Sequence, residues 1–479
     1  MTEETVAIYE TCNKQYPQAP FDPPERFPEC PRDRSGLDPG NEVYVAVRDT
    51  FRLLGMDSGH YGDAKWNPLG EFITPEDDVV IKPNLLYHYH PEGRLDAMTV
   101  HASILRAVIE YVFIAQEGKR RVTVAESPVW TADFKKLLDD SGISQMIEYL
   151  GDLGVDVEVI DMRETMLARS FESPKPPRIL RLAGDPAGYL TVDLGSDSEF
   201  HGLEIDPRDY RNSMTNVTHN ESVCRYKMPR TILNADVIIS LAKLKTHVMA
   251  GNTLSLKNMV GAYGEKIQLP HYRVGSETSD EYPSLPIMRG LKRTMVKKLF
   301  KVFKSFPYSE KIGPVRSFVA KVTDESWNEP YPLWGMWYGN DTVWRMALDL
   351  NKIVLYADKQ GMMERNRQRR TFAVIDGVVS GEGRGPIRPK PRNDGLVIAG
   401  RDFAATDLVA TRLMGFDSWK IPILREALSS KDHRVTKVTE AHEIRCVSNR
   451  EKWRRIWQLR KADLLNFEAP LSWRDHIEL

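Results

Sequence analysis

Short apolar runs alternate with stretches of helical periodicity in the first third of the chain. Runs rich in Val, Ile and Ala at residues 78–83, 121–125 and 155–160 predict buried strands. The apolar spacing of residues 99–115 and 132–150 predicts helices between these strands. This β-α-β-α-β order is typical of a parallel sheet that helices cover.

A second pattern of the same kind occupies the last third of the chain. It predicts helices at residues 342–358 and 402–414 and strands at residues 372–375 and 396–399. Asp402 is a suitable N-cap for the second of these helices. We therefore predict an α/β fold, with one or more mostly parallel sheets covered by helices and two α/β portions around a shared cleft.

Changes in composition divide the chain into five parts. Prolines are dense near the N-terminus and predict an extended arm with little regular structure. The parts are an extended Pro-rich arm (1–40), a first α/β portion (41–285) with an insertion at about 162–225, a basic amphipathic insertion (286–335), a second α/β portion (336–430) and a charged helical tail (431–479).

Composition excludes several classes of protein. The 479 residues include 41% hydrophobic and 28% charged residues, as in ordinary globular proteins, and the net charge of −1 gives no nucleic-acid-binding signature. No apolar run reaches the length of a membrane span, about 18 residues, and the acidic N-terminus lacks a signal-peptide pattern. We therefore expect a cytoplasmic protein without a nucleic-acid partner, and its oligomeric state stays open.

The cysteines give no sign of a metal cluster. Cys12, Cys30, Cys224 and Cys446 are widely spaced, and no CxxC pair occurs. We therefore expect neither a zinc ribbon nor a cysteine-ligated iron–sulfur cluster.

The densest group of candidate functional residues follows an apolar run at residues 237–241, which predicts a buried strand. Lys243, Lys245 and His247 alternate there, so a continuing strand would send all three side chains to one face. Lysines after a strand are usually solvated, and a single histidine is usually structural. Basic side chains beyond a buried strand also suit an anion pocket, and this segment alone leaves both interpretations open.

Polar side chains also follow three other predicted strands. In an open α/β sheet, ligands bind beyond the carboxyl ends of the strands, so this recurrence predicts one shared cleft. The side chains are Lys82 and Asn84 after the first strand, Glu126 and Ser127 after the second, and Asp376, Glu382 and Arg384 after the strand at 372–375.

The charges of these residues suggest an anionic ligand. Lysine and arginine can counter a phosphate or carboxylate, and carboxylates can hold a divalent metal or transfer protons. The glycine-rich stretch GEGRGP at 381–386 can form a turn or an anion-binding loop. It lacks the GK[ST] ending of a Walker loop, and no GxGxxG opens a helix after the first strand.

Three further features carry weaker signals. His88 and His90 have the spacing of metal ligands but also suit an exposed loop. His271, with Arg273 nearby, is a candidate to close over the cleft. The segment from Leu291 to Lys304 predicts a basic amphipathic helix, which can contact an anionic membrane or pack on its own protein.

Six motifs together resemble one known family. They are IKPNLL at 81–86, AES at 125–127, AKLKTH at 242–247, SLKNMVGAYG at 255–264, IDGVVSGEGRGP at 375–386 and AGRDFAATDLVATRLMGFD at 399–417. In this order they resemble domain-of-unknown-function family 362, and the resemblance covers most of residues 75–420. Many members of that family carry ferredoxin-like cysteine clusters. This chain lacks those cysteines, which argues against a redox role.

The resemblance implies a shared site without assigning roles, because the function of the family is largely undefined. The matching positions are Lys82, Asn84, Glu126, Lys243, Lys245, His247, Lys257, Asn258, Asp376, Glu382, Asp402 and Asp407.

Our leading hypothesis is an enzyme that acts on an anionic small molecule, phosphorylated or carboxylated, with assistance by a divalent metal as an open alternative. Lys82, Asn84, Lys243, Lys257, Asn258 and Arg384 are the predicted substrate-binding residues, His247, Lys245 and Glu126 are the predicted catalytic residues, and Asp376 and Glu382 are the predicted metal ligands. A second hypothesis is a non-catalytic scaffold that docks to a membrane surface or membrane enzyme through the basic helix. A third is a redox accessory protein.

Overall fold

A nine-stranded sheet organises the fold. The computed structural model describes residues 4–30, 36–168, 178–203, 218–220, 222–271, 273, 335–430 and 432–479. The sheet strands are β1 (Thr5–Glu10), β2 (Val79–Pro83), β3 (Val122–Glu126), β4 (Val157–Asp161), β10 (Val237–His247), β11 (Gly251–Thr253), β12 (Arg370–Arg384), β13 (Arg388–Gly400) and β14 (Arg445–Ser448). The remaining strands form two small antiparallel sheets and are β5 (Thr165–Ala168), β6 (Arg178–Arg181), β7 (Tyr189–Asp193), β8 (His219–Asn220) and β9 (Val223–Pro229).

Both predicted α/β portions contribute to this one sheet. Its order is β14-β1-β13-β12-β10-β2-β3-β4, with β11 paired to β10. The five strands β12, β10, β2, β3 and β4 run parallel, whereas β13 is antiparallel to both β12 and β1. Strand β10 joins the two portions, because β2 lies on one side of it and β12 on the other. The predicted α/β fold with a mostly parallel sheet is confirmed.

Helices cover both faces of the sheet. They are α1 (Glu42–Leu53), α2 (Leu95–Met98), α3 (Ala102–Ala115), α4 (Phe134–Asp140), α5 (Ile143–Asp152), α6 (Arg230–Asn234), α7 (Ser255–Asn258), α8 (Val343–Tyr356), α9 (Phe403–Met414), α10 (Pro422–Ser429) and α11 (Glu451–Arg454). The predicted cap of α9 is confirmed, since the Asp402 side chain accepts the backbone N–H of Ala405 at 3.0 Å.

Two hydrophobic cores lie on opposite faces of the sheet. Along β10, Val237 and Ile239 pack into the core that contains α1 and α3, whereas Ile238 and Ala242 pack into the core that contains α8 and α9. This alternation follows from the two-residue period of a strand. Every residue of β10 is buried, so its polar residues end inside the protein.

The N-terminal arm contains a strand, which differs from the predicted lack of regular structure. Strand β1 pairs antiparallel with β13, where Val6 lies opposite Gly400, and parallel with β14 from the C-terminal tail. The hydrogen-bond partners of β1 are strands far away in sequence, so the local proline content of the arm did not indicate this strand.

Two sequence-based expectations concern membranes. The basic helix predicted from Leu291 to Lys304 lies outside the described residues. Within the described ranges, no helix is both long enough and apolar enough to cross a bilayer.

Candidate functional site

Strand β10 continues through the whole KLKTH segment. Its last residues pair with β11, which runs back antiparallel, and Lys245 lies opposite Thr253 in this ladder. The side chains of Lys243 and Lys245 are fully buried, and His247 is 6% exposed. These residues therefore belong to the carboxyl end of the sheet, and the interpretation of the lysines as solvated surface residues is wrong.

Lys82 and Glu126 form a buried ion pair at the ends of β2 and β3. Lys82 Nζ donates to Glu126 Oε2 at 2.7 Å, and the same oxygen accepts the backbone N–H of Leu85 at 2.9 Å. Glu126 Oε1 accepts the backbone N–H of Ser127 at 2.8 Å. Gly261 packs directly on the pair, because a Cβ there would collide with Lys82 Nζ and Glu126 Oε1. The carboxylate that we predicted to be catalytic is thus enclosed by hydrogen-bond donors.

Burial has opposite effects on the two members of this pair. It lowers the pKa of Lys82 and raises the pKa of Glu126, because a low-dielectric surrounding disfavours both charged forms. The attraction between the two charges opposes both shifts. Because both oxygens of Glu126 already accept hydrogen bonds, we assign the pair a structural and positioning role.

Two asparagines connect the Lys82–Glu126 pair to Lys245. Asn258 Oδ1 accepts hydrogen bonds from Lys82 Nζ at 3.1 Å and from Asn84 Nδ2 at 3.2 Å. Asn84 Oδ1 accepts from Lys245 Nζ at 2.8 Å, and Lys245 also donates to the carbonyl oxygen of Met98. The structure therefore brings residues from the ends of β2, β3 and β10 into one hydrogen-bond network.

Lys257 and Lys266 lie beside this network, and together with Lys245 they form what we call the lysine cluster. Lys266 Nζ donates to the carbonyl oxygen of Val260 at 3.0 Å. Among the described residues, Lys257 has no hydrogen-bond partner, and none of the three lysines forms an ion pair with a carboxylate. Lys257 and Lys266 are both partly exposed to solvent. The cluster therefore holds amino groups whose charge the described protein does not neutralise directly.

Burial is the largest cause of the lowered pKa values in the cluster, and neighbouring lysines add to it. Burial, reinforced by Lys82, lowers the pKa of Lys257 to about 8. Burial lowers the pKa of Lys266 to about 7, although Glu126 acts in the opposite direction. Burial, followed by the charges of Lys243 and Lys257, holds the pKa of Lys245 well below its usual value. An anion bound here would raise all three pKa values by supplying the missing negative charge.

Two histidines lie within electrostatic reach of the lysine cluster. The backbone N–H of Met249 donates to His247 Nδ1 at 3.1 Å, which assigns the proton of the neutral imidazole to Nε2. Burial, then Lys257 and Lys245, holds the pKa of His247 well below its usual value. Burial, then Lys257, lowers the pKa of His271 to about 3. Both imidazoles are therefore neutral at neutral pH in the absence of a ligand.

Asp407 fixes the short helix α7, which carries Lys257 and Asn258. Its two carboxylate oxygens accept the backbone N–H groups of Ser255 and Leu256 at 2.7 and 2.8 Å. Burial raises the pKa of Asp407 to about 7, against the effect of these hydrogen bonds. Asp407 thus holds α7 in place from within the core. No described contact joins its carboxylate to the amino groups of the lysine cluster.

Lys243 belongs to a separate network that the N-terminal arm completes. Its Nζ donates to Asp376 Oδ2 at 2.9 Å and to the hydroxyl of Tyr16 at 2.7 Å. The Tyr16 hydroxyl donates to Asp376 Oδ1 at 2.6 Å, and the Tyr16 ring stacks on His101 at a centroid distance of 3.8 Å. Asp376 Oδ2 also accepts the backbone N–H of His101 at 3.0 Å. We call this set the Tyr16–Lys243–Asp376 network.

The predicted metal ligands Asp376 and Glu382 do not face each other. Glu382 follows Asp376 by six residues on β12, about 20 Å along an extended strand. It forms ion pairs with Arg392 at 2.8 Å and Lys390 at 3.6 Å. In the described ranges, no group of three or more His, Cys, Asp or Glu side chains could hold a metal ion. The geometry gives this pair no common site, and metal assistance stays a prediction.

The glycine-rich stretch forms the end of β12 and, with Gly385 and Pro386, the start of a β-hairpin turn. Strand β12 runs to Arg384, and β13 begins at Arg388. Gly385 packs closely on β10, where a Cβ would collide with the carbonyl oxygen of Thr246. Arg384, which we predicted to bind substrate, is exposed at this turn and shows no described contact with the lysine cluster. Close packing explains the glycine here without an anion.

The side chains of His88 and His90 form hydrogen bonds with backbone groups. His88 Nδ1 accepts the backbone N–H of Asp133 at 3.0 Å. His90 Nδ1 accepts the backbone N–H of Glu92 at 3.2 Å, and its Nε2 lies 3.1 Å from the carbonyl oxygen of Pro389. The two rings have different partners, so their spacing of two residues reflects the loop and not a shared metal ion.

Sequence reasoning missed two residues of these networks. Lys266 lies just beyond the SLKNMVGAYG motif, and its position after two glycines was the available signal. Tyr16 lies in the arm that we predicted to be extended, and nothing in the local pattern marked it. Ser127 was noted only as a strand-end residue, yet its buried hydroxyl has no hydrogen-bond partner.

Comparison with known proteins gives the family. A family model described as a domain of unknown function, DUF362, matches residues 79–178 and 192–412. The chain belongs to the DUF362 family. This confirms the resemblance inferred from the six motifs. The match includes the Lys82–Glu126 pair, Lys245, Lys257 and Lys266, whereas Tyr16 lies outside it.

One curated relative and the solved structures complete the comparison. A thylakoid-associated protein of Synechocystis sp. is 19% identical over 356 residues, which are 74% of this DUF362 chain and 68% of the relative. No solved structure matches.

Proposed function

We propose that this DUF362 protein is an enzyme that binds and converts an anionic small molecule, phosphorylated or carboxylated, at the lysine cluster. The observation that carries the proposal is the state of Lys257. Lys257 is partly exposed as a residue, and its amino group has no hydrogen-bond partner among the described residues and lies near two other lysines without carboxylate partners. Positive charge that the protein leaves uncompensated in a half-buried site suits an anionic ligand.

In this proposal, Lys245, Lys257 and Lys266 bind the anion. Asn84 and Asn258 orient Lys245 and Lys82 through the hydrogen bonds described above. In the neighbouring Lys82–Glu126 ion pair the two opposite charges cancel, so the pair adds little net charge to the site.

His247 and Lys245 are the groups we propose for proton transfer. A bound anion would offset the charges of Lys257 and Lys245 that lower the pKa of His247, so the imidazole could gain a proton when substrate binds. His247 Nε2 would then hold and pass that proton, since Nδ1 already accepts the Met249 N–H. Lys245 is the alternative proton donor, because a bound anion would raise its lowered pKa in the same way. If the reaction needs a divalent metal, we propose that the metal arrives bound to the anionic ligand.

The test begins with the natively purified full chain. Small molecules released on denaturation are identified by mass spectrometry for the wild type, for Lys257→Met and for Lys135→Met. Lys135 is the control because its side chain is 84% exposed and lies in a surface ion pair. We expect an anionic compound with the wild type and the Lys135 variant, and its loss from the Lys257 variant. Absence of any anionic compound, together with no binding from a panel of phosphorylated and carboxylated metabolites, would overturn the proposal.

A second measurement separates an enzyme from a binding protein. The identified compound is incubated with the wild type and with His247→Gln, and products are followed by mass spectrometry. We expect turnover by the wild type and retained binding without turnover by the variant. A compound that binds tightly but is never converted would assign the cluster to a non-catalytic binding protein.

The relative's name favours a second candidate function, a peripheral membrane protein. That relative is described as thylakoid-associated, and the sequence of this chain predicts a basic amphipathic helix from Leu291 to Lys304. Flotation with anionic liposomes tests this alternative. Flotation that is lost on charge reversal of Lys297, Lys298 and Lys301 would support membrane docking. Absence of flotation by the wild type would argue against docking and favour the cytoplasmic enzyme that we propose.

A further inference from the structure

The lysine cluster contains three amino groups, which is more than the two oxygens of a carboxylate. Glu126 is the carboxylate whose charge opposes the lowering of the Lys266 pKa. This carboxylate already forms an ion pair with Lys82 at 2.7 Å. The amino groups of Lys245, Lys257 and Lys266 donate to neutral oxygens or to no described partner. A ligand group with two oxygens would leave at least one of these three amino groups without an anionic oxygen of its own.

Two buried hydroxyl groups have unused hydrogen-bonding capacity, and strand pairing places one of them, that of Thr253, beside Lys245. Ser127 Oγ lacks a partner, and its residue directly follows Glu126 at the end of β3. Thr253 Oγ1 also lacks a partner, and Thr253 lies opposite Lys245 in the β10–β11 ladder. Residues that lie opposite each other in an antiparallel ladder present their side chains on the same face. Both residues are under 5% exposed, with values of 3% and 4%.

We propose that the ligand group held by the lysine cluster is a phosphoryl or diphosphoryl group, which carries about 1.5 negative charges or more at neutral pH. This inference rests on the proposed function and narrows it. A phosphoryl group offers three terminal oxygens around one phosphorus, so several amino groups and a hydroxyl can donate to it from different directions. A carboxylate offers two oxygens in one plane and one charge. The number of unpaired donors in the site therefore fits the phosphoryl group.

The test is isothermal titration calorimetry on the full chain at neutral pH and constant ionic strength. The probes are sodium pyrophosphate, inorganic phosphate, malonate and acetate. We expect pyrophosphate and phosphate to bind at least about tenfold more tightly than malonate, and acetate to show no binding. The reason is geometric, because a phosphoryl group offers three terminal oxygens around one phosphorus whereas each carboxylate of malonate offers two in one plane.

Variants connect the binding to these residues. Lys257→Met should weaken pyrophosphate binding by about tenfold or more, Lys257→Arg should retain most of it, and Lys135→Met should change nothing. Ser127→Ala and Thr253→Val remove the free hydroxyls, and we expect each to weaken phosphate binding several-fold without changing the thermal unfolding midpoint. Unfolding midpoints of all variants establish that each one is folded.

The outcomes distinguish this inference from the function it rests on. Malonate binding as tight as phosphate would overturn the phosphoryl assignment and leave an enzyme for carboxylated substrates. Failure of all four anions to bind would overturn both proposals. Equal loss of affinity in the Lys257→Met and Lys135→Met variants would show that phosphate binds elsewhere, and this would also overturn the inference.

Discussion

Lysines in two different electrostatic states lie at the same edge of the sheet. Lys82 and Lys243 are fully buried, and each is within 3 Å of a carboxylate oxygen, at 2.7 and 2.9 Å. Lys257 and Lys266 are partly exposed and have no such partner in the described part of the chain. The contrast separates lysines that hold the site together from lysines that are available to a ligand.

The elements that carry the lysines explain the difference. Lys243 and Asp376 are direct partners in the parallel β10–β12 ladder, so strand register places opposite charges together. Lys82 and Glu126 end the adjacent strands β2 and β3. Lys257 lies on α7 and Lys266 in the following turns, where no ladder supplies a carboxylate. The paired lysines therefore follow from strand register. Lys257 and Lys266 lie outside the ladders, and Lys245 has only Thr253 and Gly381 as ladder partners.

The largest effect should follow from breaking the Lys82–Glu126 pair. Glu126→Ala leaves the Lys82 amino group buried without its partner, and we expect a loss of about 3–5 kcal/mol in the free energy of unfolding. Urea denaturation followed by fluorescence measures this loss. An accessible catalytic carboxylate, as we predicted for Glu126 from the sequence, could instead be removed with little loss of stability.

A double variant tests whether charge isolation is the cause. Lys82→Met with Glu126→Leu removes both charges, and it should recover much of the stability because neither residue then buries an unpaired charge. A Glu126→Ala protein as stable as the wild type would contradict the structural role of the pair and return Glu126 to the catalytic group.

An intermediate effect is expected in the Tyr16–Lys243–Asp376 network. Tyr16→Phe removes a hydroxyl that donates to Asp376 at 2.6 Å and accepts from Lys243 at 2.7 Å, but it keeps the direct Lys243–Asp376 bond at 2.9 Å. Hydrogen bonds to charged groups contribute about 1.5–3 kcal/mol, so the loss should lie near or below this range. Urea denaturation measures the change, and Tyr89→Phe is the matched control, because Tyr89 is exposed and its hydroxyl has no hydrogen-bond partner among the described residues. An unchanged midpoint would show that the arm is not part of the stable sheet edge.

This network also marks where sequence reasoning reached its limit. The strands β2, β3 and β4 were predicted because each is a compact β-branched run, and their polar ends pointed correctly to one sheet edge. The pairing of Lys243 with Asp376, and the contact of both with Tyr16, join residues from three distant parts of the chain. Local patterns contain no information on such contacts, so the sequence identified charged residues without showing which of them neutralise one another. The same limit explains why Asp376 and Glu382 were grouped as metal ligands.

The smallest effect should appear at Lys257, and it should depend on pH. Burial lowers the pKa of Lys257 from 10.5 to about 8 in the folded protein. Between these pH values the unfolded chain binds more protons at this residue than the folded chain, so stability should rise with pH across this interval. Below about pH 8 both states are protonated, and the full cost of burying the charge is present. Because solvent screens a partly exposed lysine, we expect a contribution under about 1 kcal/mol.

Comparing variants isolates this contribution from other groups that titrate in the same interval. The free energy of unfolding of Lys257→Met should rise less between about pH 8 and 10.5 than that of the wild type, whereas Lys135→Met should follow the wild type. Saturating phosphate should reduce the wild-type rise, because a bound anion favours protonated Lys257 and moves its pKa back toward the unfolded value. Identical pH profiles for the wild type and Lys257→Met would mean that the amino group of Lys257 is as well solvated in the folded protein as in the unfolded chain. In that case burial would impose no cost on Lys257 for a ligand to relieve. Lys245 and Lys266 alone would then remain as unpaired lysines that differ from the paired ones.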